Sequence, residues 1–155
     1  MHAYYYTEVE RSFDKVEEVV LRLMHRFGDW STDAYRNGEA LRIKMGTAAS
    51  PPLLAKTITM TPGAPDRRPG HTRIPIRWEA TDSGFFPTMD ADLSIVALGD
   101  DRTKLALQGN YQPPLGAVGA TLDRFLLHHI AESSVKHFLD RVAEAVTTVV
   151  TTSPE

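Results

Sequence analysis

Apolar and polar residues alternate strictly through three stretches in the middle of the chain. Their apolar positions are Ile74, Ile76, Trp78 and Ala80; Met89, Ala91, Leu93, Ile95 and Ala97; and Leu105, Leu107 and Tyr111. Because successive side chains of a strand point to opposite faces, this pattern predicts an antiparallel sheet with one dry face and one solvated face. Gly99-Asp100-Asp101 predicts a tight hairpin between the last two strands.

Shorter patterns predict further strands and the connections between them. Residues 3–10 are rich in Tyr, Thr and Val, and alternation recurs at residues 41–45 and 57–60. Residues 46–52 and 62–70 carry the Gly and Pro residues that are typical of connecting loops. Pro75 has no N–H to donate to a ladder, so we expect a sheet edge or a bulge beside it.

Helical spacing predicts two helices of very different length. The first has its apolar positions at Val16, Val20, Leu23 and Phe27. Ser12 is a suitable N-cap for it and Gly28 a suitable stop, while residues 29–37 are ambiguous and allow a short second helix. Residues 115–149 predict a single helix of about 50 Å, which is longer than a sheet of this size, so part of it should overhang or kink.

The two halves of the long helix have different apolar faces. One stripe consists of Leu127, Ala131, Phe138, Val142, Ala145 and Val149, opposite a charged face. In the first half, Val118, Leu122, Phe125, Leu126 and Ile130 are apolar and lie away from that stripe. These side chains must be buried by some other means. The candidates are a kink of the helix near residues 133–134, the loop at residues 85–87 folding over them, or a second chain.

The order of the elements predicts an α+β fold. A strand is followed by one or two short helices, five or six strands and the long C-terminal helix, which is the only element large enough to cover the dry face. The length of 155 residues suits one domain. We place this domain at residues 1–150 and a flexible tail at residues 151–155.

Composition excludes several classes of protein. A formal net charge of -3 argues against a nucleic-acid-binding protein, which needs a concentrated basic surface. The absence of cysteine excludes disulfides and thiolate zinc sites. The sequence has no apolar run long enough to span a bilayer and its N-terminus does not resemble a signal peptide, so we expect a cytoplasmic protein without an integral membrane segment.

The stretches "IPIRWEATDSGFFPTMDADLSI", "LALQGNYQPPLG" and "LDRFLLHHIAESSVKHFLDRVAEAV", together with the element order, resemble the SRPBCC superfamily. This is the START-like, helix-grip group that includes polyketide cyclase/dehydrase-like proteins. The resemblance implies a curved antiparallel sheet that grips the long C-terminal helix around a cavity. Its members bind lipids, sterols, polyketides or other apolar molecules, and some catalyse cyclisation or dehydration.

The superfamily has no invariant catalytic residue, so the resemblance transfers only the positions that would line the cavity. These are Met60, Trp78, Met89, Leu93, Tyr111, Leu122, Phe125, Leu126 and His129. His129 is the best candidate for a general base. His128 with Glu132 is a weak metal pair, and Asp90 with Asp92 fits a solvated strand face, so we predict neither a metal nor another cofactor.

The sequence therefore favours a protein that binds or carries a small hydrophobic, lipid- or polyketide-like ligand between sheet and helix. The first alternative is an enzyme of the polyketide cyclase/dehydratase type that uses the same cavity. The second alternative is an interaction module that forms a homodimer through the apolar start of the last helix.

Overall fold

A computed structural model describes residues 2–30, 58–80, 88–112 and 124–152 of the chain. The strands are β1 (His2–Val9), β2 (Ile58–Pro62), β3 (Asp66–Arg68), β4 (His71–Ala80), β5 (Thr88–Ala97) and β6 (Thr103–Gln112). The helices are α1 (Phe13–Arg22), a 3₁₀ turn (Met24–Arg26) and α2 (Arg124–Thr152). The strands form one curved antiparallel sheet in the order β1-β6-β5-β4-β2, and β3 also pairs with β4.

The four strands with the clearest sequence patterns, β1, β4, β5 and β6, lie where they are predicted. The hairpin between β5 and β6 is also confirmed: Ala97 faces Thr103, and Gly99 has a φ of 116°, which favours glycine. The strand predicted at residues 41–45 lies outside the described residues. The connector predicted at residues 62–70 is wrong in part, because it contains β3, whose three residues are all exposed and carry no alternating pattern.

Pro75 produces a bulge in the strand beside it. Ile76 of β4 faces Pro62 at the end of β2, and Arg73 of β4 faces Asp66 at the start of β3. The two residues 74–75 of β4 therefore face three residues, 63–65, of the segment that joins β2 to β3. The backbone N–H of Gly63 donates to the Pro75 carbonyl at 2.7 Å, so the side of Pro75 that lacks an N–H faces this edge. The β4–β5 register stays continuous past Pro75. The predicted bulge therefore occurs in the neighbouring strand, and β4 itself lies inside the sheet.

The expected helix stop at Gly28 is wrong. Helix α1 ends at Arg22, and the Leu23 N–H donates to the carbonyls of Val19 and Val20. After the 3₁₀ turn, residues 27–30 are helical again. Phe27 and Trp30 are buried there with their ring centroids 5.7 Å apart. Burial of these two rings favours continued helix over the stop that Gly28 offers.

Helix α2 covers the dry face of the sheet with one apolar stripe. The buried positions of the stripe are Val135, Phe138, Leu139, Val142 and Val146. Their spacing of three or four residues is that of one helix face. The predicted charged face is exposed, and the helix continues without interruption through residues 133–134, where the sequence allows a kink. Within the described residues, no helix combines the length and apolar character that a membrane crossing requires.

Candidate ligand-binding site

Four of the predicted cavity residues lie in a single row across the dry face of the sheet. Met60 on β2 faces Trp78 on β4, and Trp78 also faces Met89 on β5. Met89 in turn faces Tyr111 on β6. We call these four residues the terminal row, because they lie near the strand ends where the chain continues into residues 31–57, 81–87 and 113–123. The pairing register therefore places four side chains at one end of the sheet.

The neighbouring row consists largely of small residues. Ile76 faces Ala91, Ala91 faces Gly109, and Gly109 faces Ala3. A Cβ atom built on Gly109 would lie 2.8 Å from the Ala91 Cβ and 2.8 Å from the Asp90 carbonyl oxygen, so the backbones approach too closely there for a side chain. We call Ala3, Ala91 and Gly109 the small row. Beside the terminal row, the sheet thus presents little side-chain volume.

Leu93 lies one row further along the sheet, where the side chains are bulky. It faces Ile74 on one side and Leu107 on the other, and Leu107 faces Tyr5. Leu93, Ile74 and Leu107 each have 0% exposure. The register thus separates Leu93 from the terminal row and places it in closely packed core.

The helix meets the sheet at Trp78, in the terminal row. The Phe138 ring contacts the Trp78 ring edge to face, with centroids 5.6 Å apart. Phe138 and Leu139 have 0% exposure, and Val142 has 1%. The terminal row is buried as well, although Met60 and Met89 keep 8% and 5% exposure. Phe138, in the second half of α2, therefore packs directly against Trp78 of the terminal row.

The remaining predicted residues belong to that first half or to the segment before it. Leu122 lies outside the described residues. Phe125, Leu126 and His129 lie on α2, but the description of side chains on this helix begins at Glu132. The roles predicted for these four residues stay predictions.

Two polar atoms near the terminal row are buried without a hydrogen-bond partner among the described residues. They are Nε1 of Trp78 and Oγ of Ser134. Trp78 is 1% exposed and Ser134 is 3% exposed. Ser134 precedes Phe138 by four residues, so both lie on the same face of α2. The sequence analysis missed Ser134, although its position four residues before an apolar stripe residue is the signal that would have identified it.

Tyr111 brings a phenol to the same end of the sheet. Burial raises the pKa of its hydroxyl, and the negative charge of Glu132 on α2 raises it further. Tyr111 is 1% exposed, so its ring forms part of the core surface while its hydroxyl remains neutral at physiological pH. A neutral phenol can donate and accept a hydrogen bond, which suits it to orient a polar group.

Glu17, which the sequence analysis missed, ties α1 to the opposite end of the sheet. Its carboxylate accepts a hydrogen bond from Arg67 on β3 at 2.7 Å and another from the buried hydroxyl of Thr72 on β4. Burial alone would raise the pKa of Glu17, but these two hydrogen bonds and the Arg67 charge lower it overall. The partners follow Glu17 by 50 and 55 residues, so no local pattern indicates the contact.

The outer face of the sheet carries a charged cleft that is separate from the terminal row. Asp90 pairs with Arg77 at 3.1 Å, and Asp92 pairs with Arg73 at 3.6 Å. Beside them a cleft of about 450 Å³ opens along the bulge next to Pro75. The solvated face predicted for the two aspartates is therefore confirmed.

Comparison with known proteins shows similarity in structure only. Neither a protein-family model nor a curated protein sequence matches the chain. The structure is similar to the Zhui aromatase/cyclase from a Streptomyces species, with 15% identity, a TM-score of 0.56, and coverage of 97% of this chain and 95% of that one. It is equally similar to a START superfamily protein from Mycobacterium smegmatis, with 15% identity, a TM-score of 0.57, and coverage of 96% and 98%.

These two likenesses extend over nearly the whole chain and agree with the sheet and helix described above. The chain has the helix-grip fold of these two proteins, and the α+β architecture predicted from the sequence is confirmed.

Proposed function

We propose that this protein binds or carries a small hydrophobic ligand between the terminal row and the first half of α2. The observation that carries the proposal is the pairing of the terminal row with the small row. One row supplies adaptable and aromatic side chains, while the other supplies almost no side-chain volume. From this combination we infer room for a guest above the small row, whereas the row of Leu93 is filled by bulky, fully buried side chains.

The two methionines of the terminal row allow this end to open. Met60 and Met89 lie on either side of Trp78, and they keep more exposure than Trp78 itself. A methionine side chain is unbranched and flexible, so it fills irregular space when a site is empty and changes rotamer when a guest enters. Binding at the terminal row therefore requires methionine rotation and leaves the rigid core around Leu93 unchanged.

The proposal assigns different roles to the predicted lining residues. Met60, Trp78, Met89 and Tyr111 contact the guest from the sheet. Leu122, Phe125, Leu126 and His129 are proposed to cover it from the helix side. Leu93 supports the sheet from within the packed core.

Two matched substitutions test the position of the site. Ala91→Leu adds volume to the small row, where we expect it to be tolerated, and it should abolish binding. Leu93→Phe adds volume to the packed core, so it should destabilise the protein by about 1–3 kcal/mol. Ligand binding is measured by native mass spectrometry and by the rise in Tm with lipids, flavonoids and polyketides, because a ligand that binds only the folded state stabilises it.

The opposite pattern would remove the support for the proposal. If Ala91→Leu costs as much stability as Leu93→Phe and no apolar compound raises Tm, the terminal row is ordinary core.

A further inference from the structure

We propose that the ligand is an uncharged molecule with an oxygen acceptor, and that Trp78 Nε1 and the Ser134 hydroxyl hold this oxygen from the sheet side and the helix side. The inference rests on the proposed function and specifies the chemistry of the guest. It follows from the two unpartnered atoms and from the charges around the terminal row.

Trp78 supplies a donor that nothing in the described part of the chain satisfies. An indole N–H can only donate, and a buried donor without an acceptor loses its hydration without compensation. Phenylalanine would fill a purely apolar position without that penalty. The N–H of Trp78 thus favours a guest that carries an acceptor over a plain hydrocarbon.

Ser134 on α2 supplies a second hydrogen-bond donor, its hydroxyl, from the helix side. It lies about 6 Å along the helix axis from Phe138, the residue that contacts the Trp78 ring. Because residues four apart share a helix face, the unpartnered Ser134 hydroxyl lies one turn before the residue that packs on Trp78. A carbonyl, ether or hydroxyl oxygen has two lone pairs, so one oxygen can accept from both Trp78 and Ser134.

Among the described residues, the charges near the terminal row disfavour an anionic guest. Glu132 brings a negative charge close enough to act on Tyr111. Of the described basic side chains on the neighbouring strands, Arg73 and Arg77 are exposed and pair with Asp92 and Asp90 on the outer face. A buried carboxylate needs a partner of opposite charge, and at this end it would meet a like charge instead. Fatty acids are therefore disfavoured, while neutral ketones, aldehydes and alcohols are favoured.

Three probes of nearly equal shape test this chemistry: acetylnaphthalene, isopropenylnaphthalene and naphthoate, all substituted at the same ring position. The ketone differs from the hydrocarbon by its oxygen acceptor, and the carboxylate differs from both by its charge. Dissociation constants are measured for the whole chain. We expect the ketone to bind about three- to tenfold more tightly than the hydrocarbon, as one or two hydrogen bonds to a neutral acceptor allow. Naphthoate should bind the weakest.

Two conservative variants then assign the donors. Trp78→Phe and Ser134→Ala each remove a donor and keep most of the apolar surface. Each should lower ketone affinity more than hydrocarbon affinity and so reduce the preference for the ketone. That selective loss separates a hydrogen-bonding role from a packing role, because a packing defect would weaken both probes equally.

An NMR measurement on the unmodified protein supports the test if Trp78→Phe does not fold. The chain has two tryptophans and therefore two indole N–H signals. We expect the Trp78 signal to move with the ketone and to move less with the hydrocarbon. Trp30 is the internal control, since its Nε1 is also buried without a partner among the described residues.

The outcomes distinguish the two proposals. If the ketone and the hydrocarbon bind equally, if naphthoate binds best, or if Trp30 alone responds, the inference is overturned and the binding function stands. If none of the three probes binds while a lipid, flavonoid or polyketide raises Tm, the inference is overturned and the binding function stands; if no apolar compound raises Tm, both fail.

Discussion

Trp78 and Phe138 meet edge to face with their ring centroids 5.6 Å apart, and this contact joins the terminal row of the sheet to the C-terminal helix. Phe138 also contacts the Phe27 ring edge to face at 5.4 Å. A single side chain on α2 therefore packs against β4 and against the helical segment that follows α1. Aromatic pairs of this kind contribute more than the area they bury.

Removing the Phe138 ring should therefore disrupt the grip between helix and sheet. We expect Phe138→Ala to lower the free energy of unfolding by about 3–5 kcal/mol, because the site is fully buried and two aromatic contacts are lost. Denaturant titration measures the change. Lys136→Ala on the exposed face of α2 is the control and should change stability by less than about 0.5 kcal/mol. A similar small effect for Phe138→Ala would mean that α2 does not pack on Trp78.

Glu17 predicts a pH dependence of stability. Its pKa is lowered in the folded protein, so the unfolded chain takes up a proton first as the pH falls. The stability that the carboxylate contributes is complete above its ordinary pKa of 4.5 and is lost as the pH falls through the lower folded value. Glu17→Gln should cost about 1–3 kcal/mol at neutral pH, because Thr72 is left with a poorer acceptor.

The measurement is the difference in unfolding free energy between the native protein and Glu17→Gln at several pH values. This difference should stay constant from neutral pH to about 5 and shrink below about 4.5. Glu18→Gln, at the exposed neighbouring position, should show neither effect. If this difference does not vary with pH, the folded protein does not stabilise the charged form of Glu17.

Tyr5 links β1 to α2. Its hydroxyl donates to Asp140 Oδ1 at 3.0 Å. Burial raises the pKa of Tyr5, and the hydrogen bond to Asp140 raises it further, so this contribution is present at neutral pH and is lost as the pH rises through and above 10.0. Tyr5→Phe should cost about 0.5–1 kcal/mol at neutral pH.

The neighbouring tyrosine provides the comparison for Tyr5. Tyr6 is 51% exposed on the opposite face of β1, so Tyr6→Phe should leave stability nearly unchanged. Thermal unfolding at neutral and alkaline pH measures both variants. Equal effects of the two substitutions would show that the Asp140 contact adds no stability.

Gly109 should tolerate no side chain. A Cβ at this position would lie 2.8 Å from both the Ala91 Cβ and the Asp90 carbonyl oxygen, so β5 and β6 would have to separate. Gly109→Ala is expected to destabilise the protein by about 1–3 kcal/mol. Adding Ala91→Gly removes one of the two close contacts and should restore part of the loss, which a double-mutant cycle measures. If the two substitutions are additive, the contact between these strands is looser than described.

Local patterns predicted many of the residues that face the core, although the predicted helix stripe lacked the buried Val135, Leu139 and Val146. Period-two alternation placed Trp78, Met89 and Tyr111 on the dry face, and all three are buried. Helical spacing placed Phe138 and Val142 in the helix stripe, and both are buried as well. The prediction failed where no local signal exists: β3 is short and fully exposed, and the helical turn around Gly28 depends on burial of Phe27 and Trp30.

What the sequence alone determined was the facing of each element, because side-chain direction follows from the periods of strand and helix. Tertiary structure decided the rest. The alignment of Met60, Trp78, Met89 and Tyr111 in one row depends on strand register, which local alternation leaves open by any even number of residues. The contacts of Glu17 with Thr72 and of Trp78 with Phe138 join segments far apart in the chain, so only the folded backbone brings their atoms together.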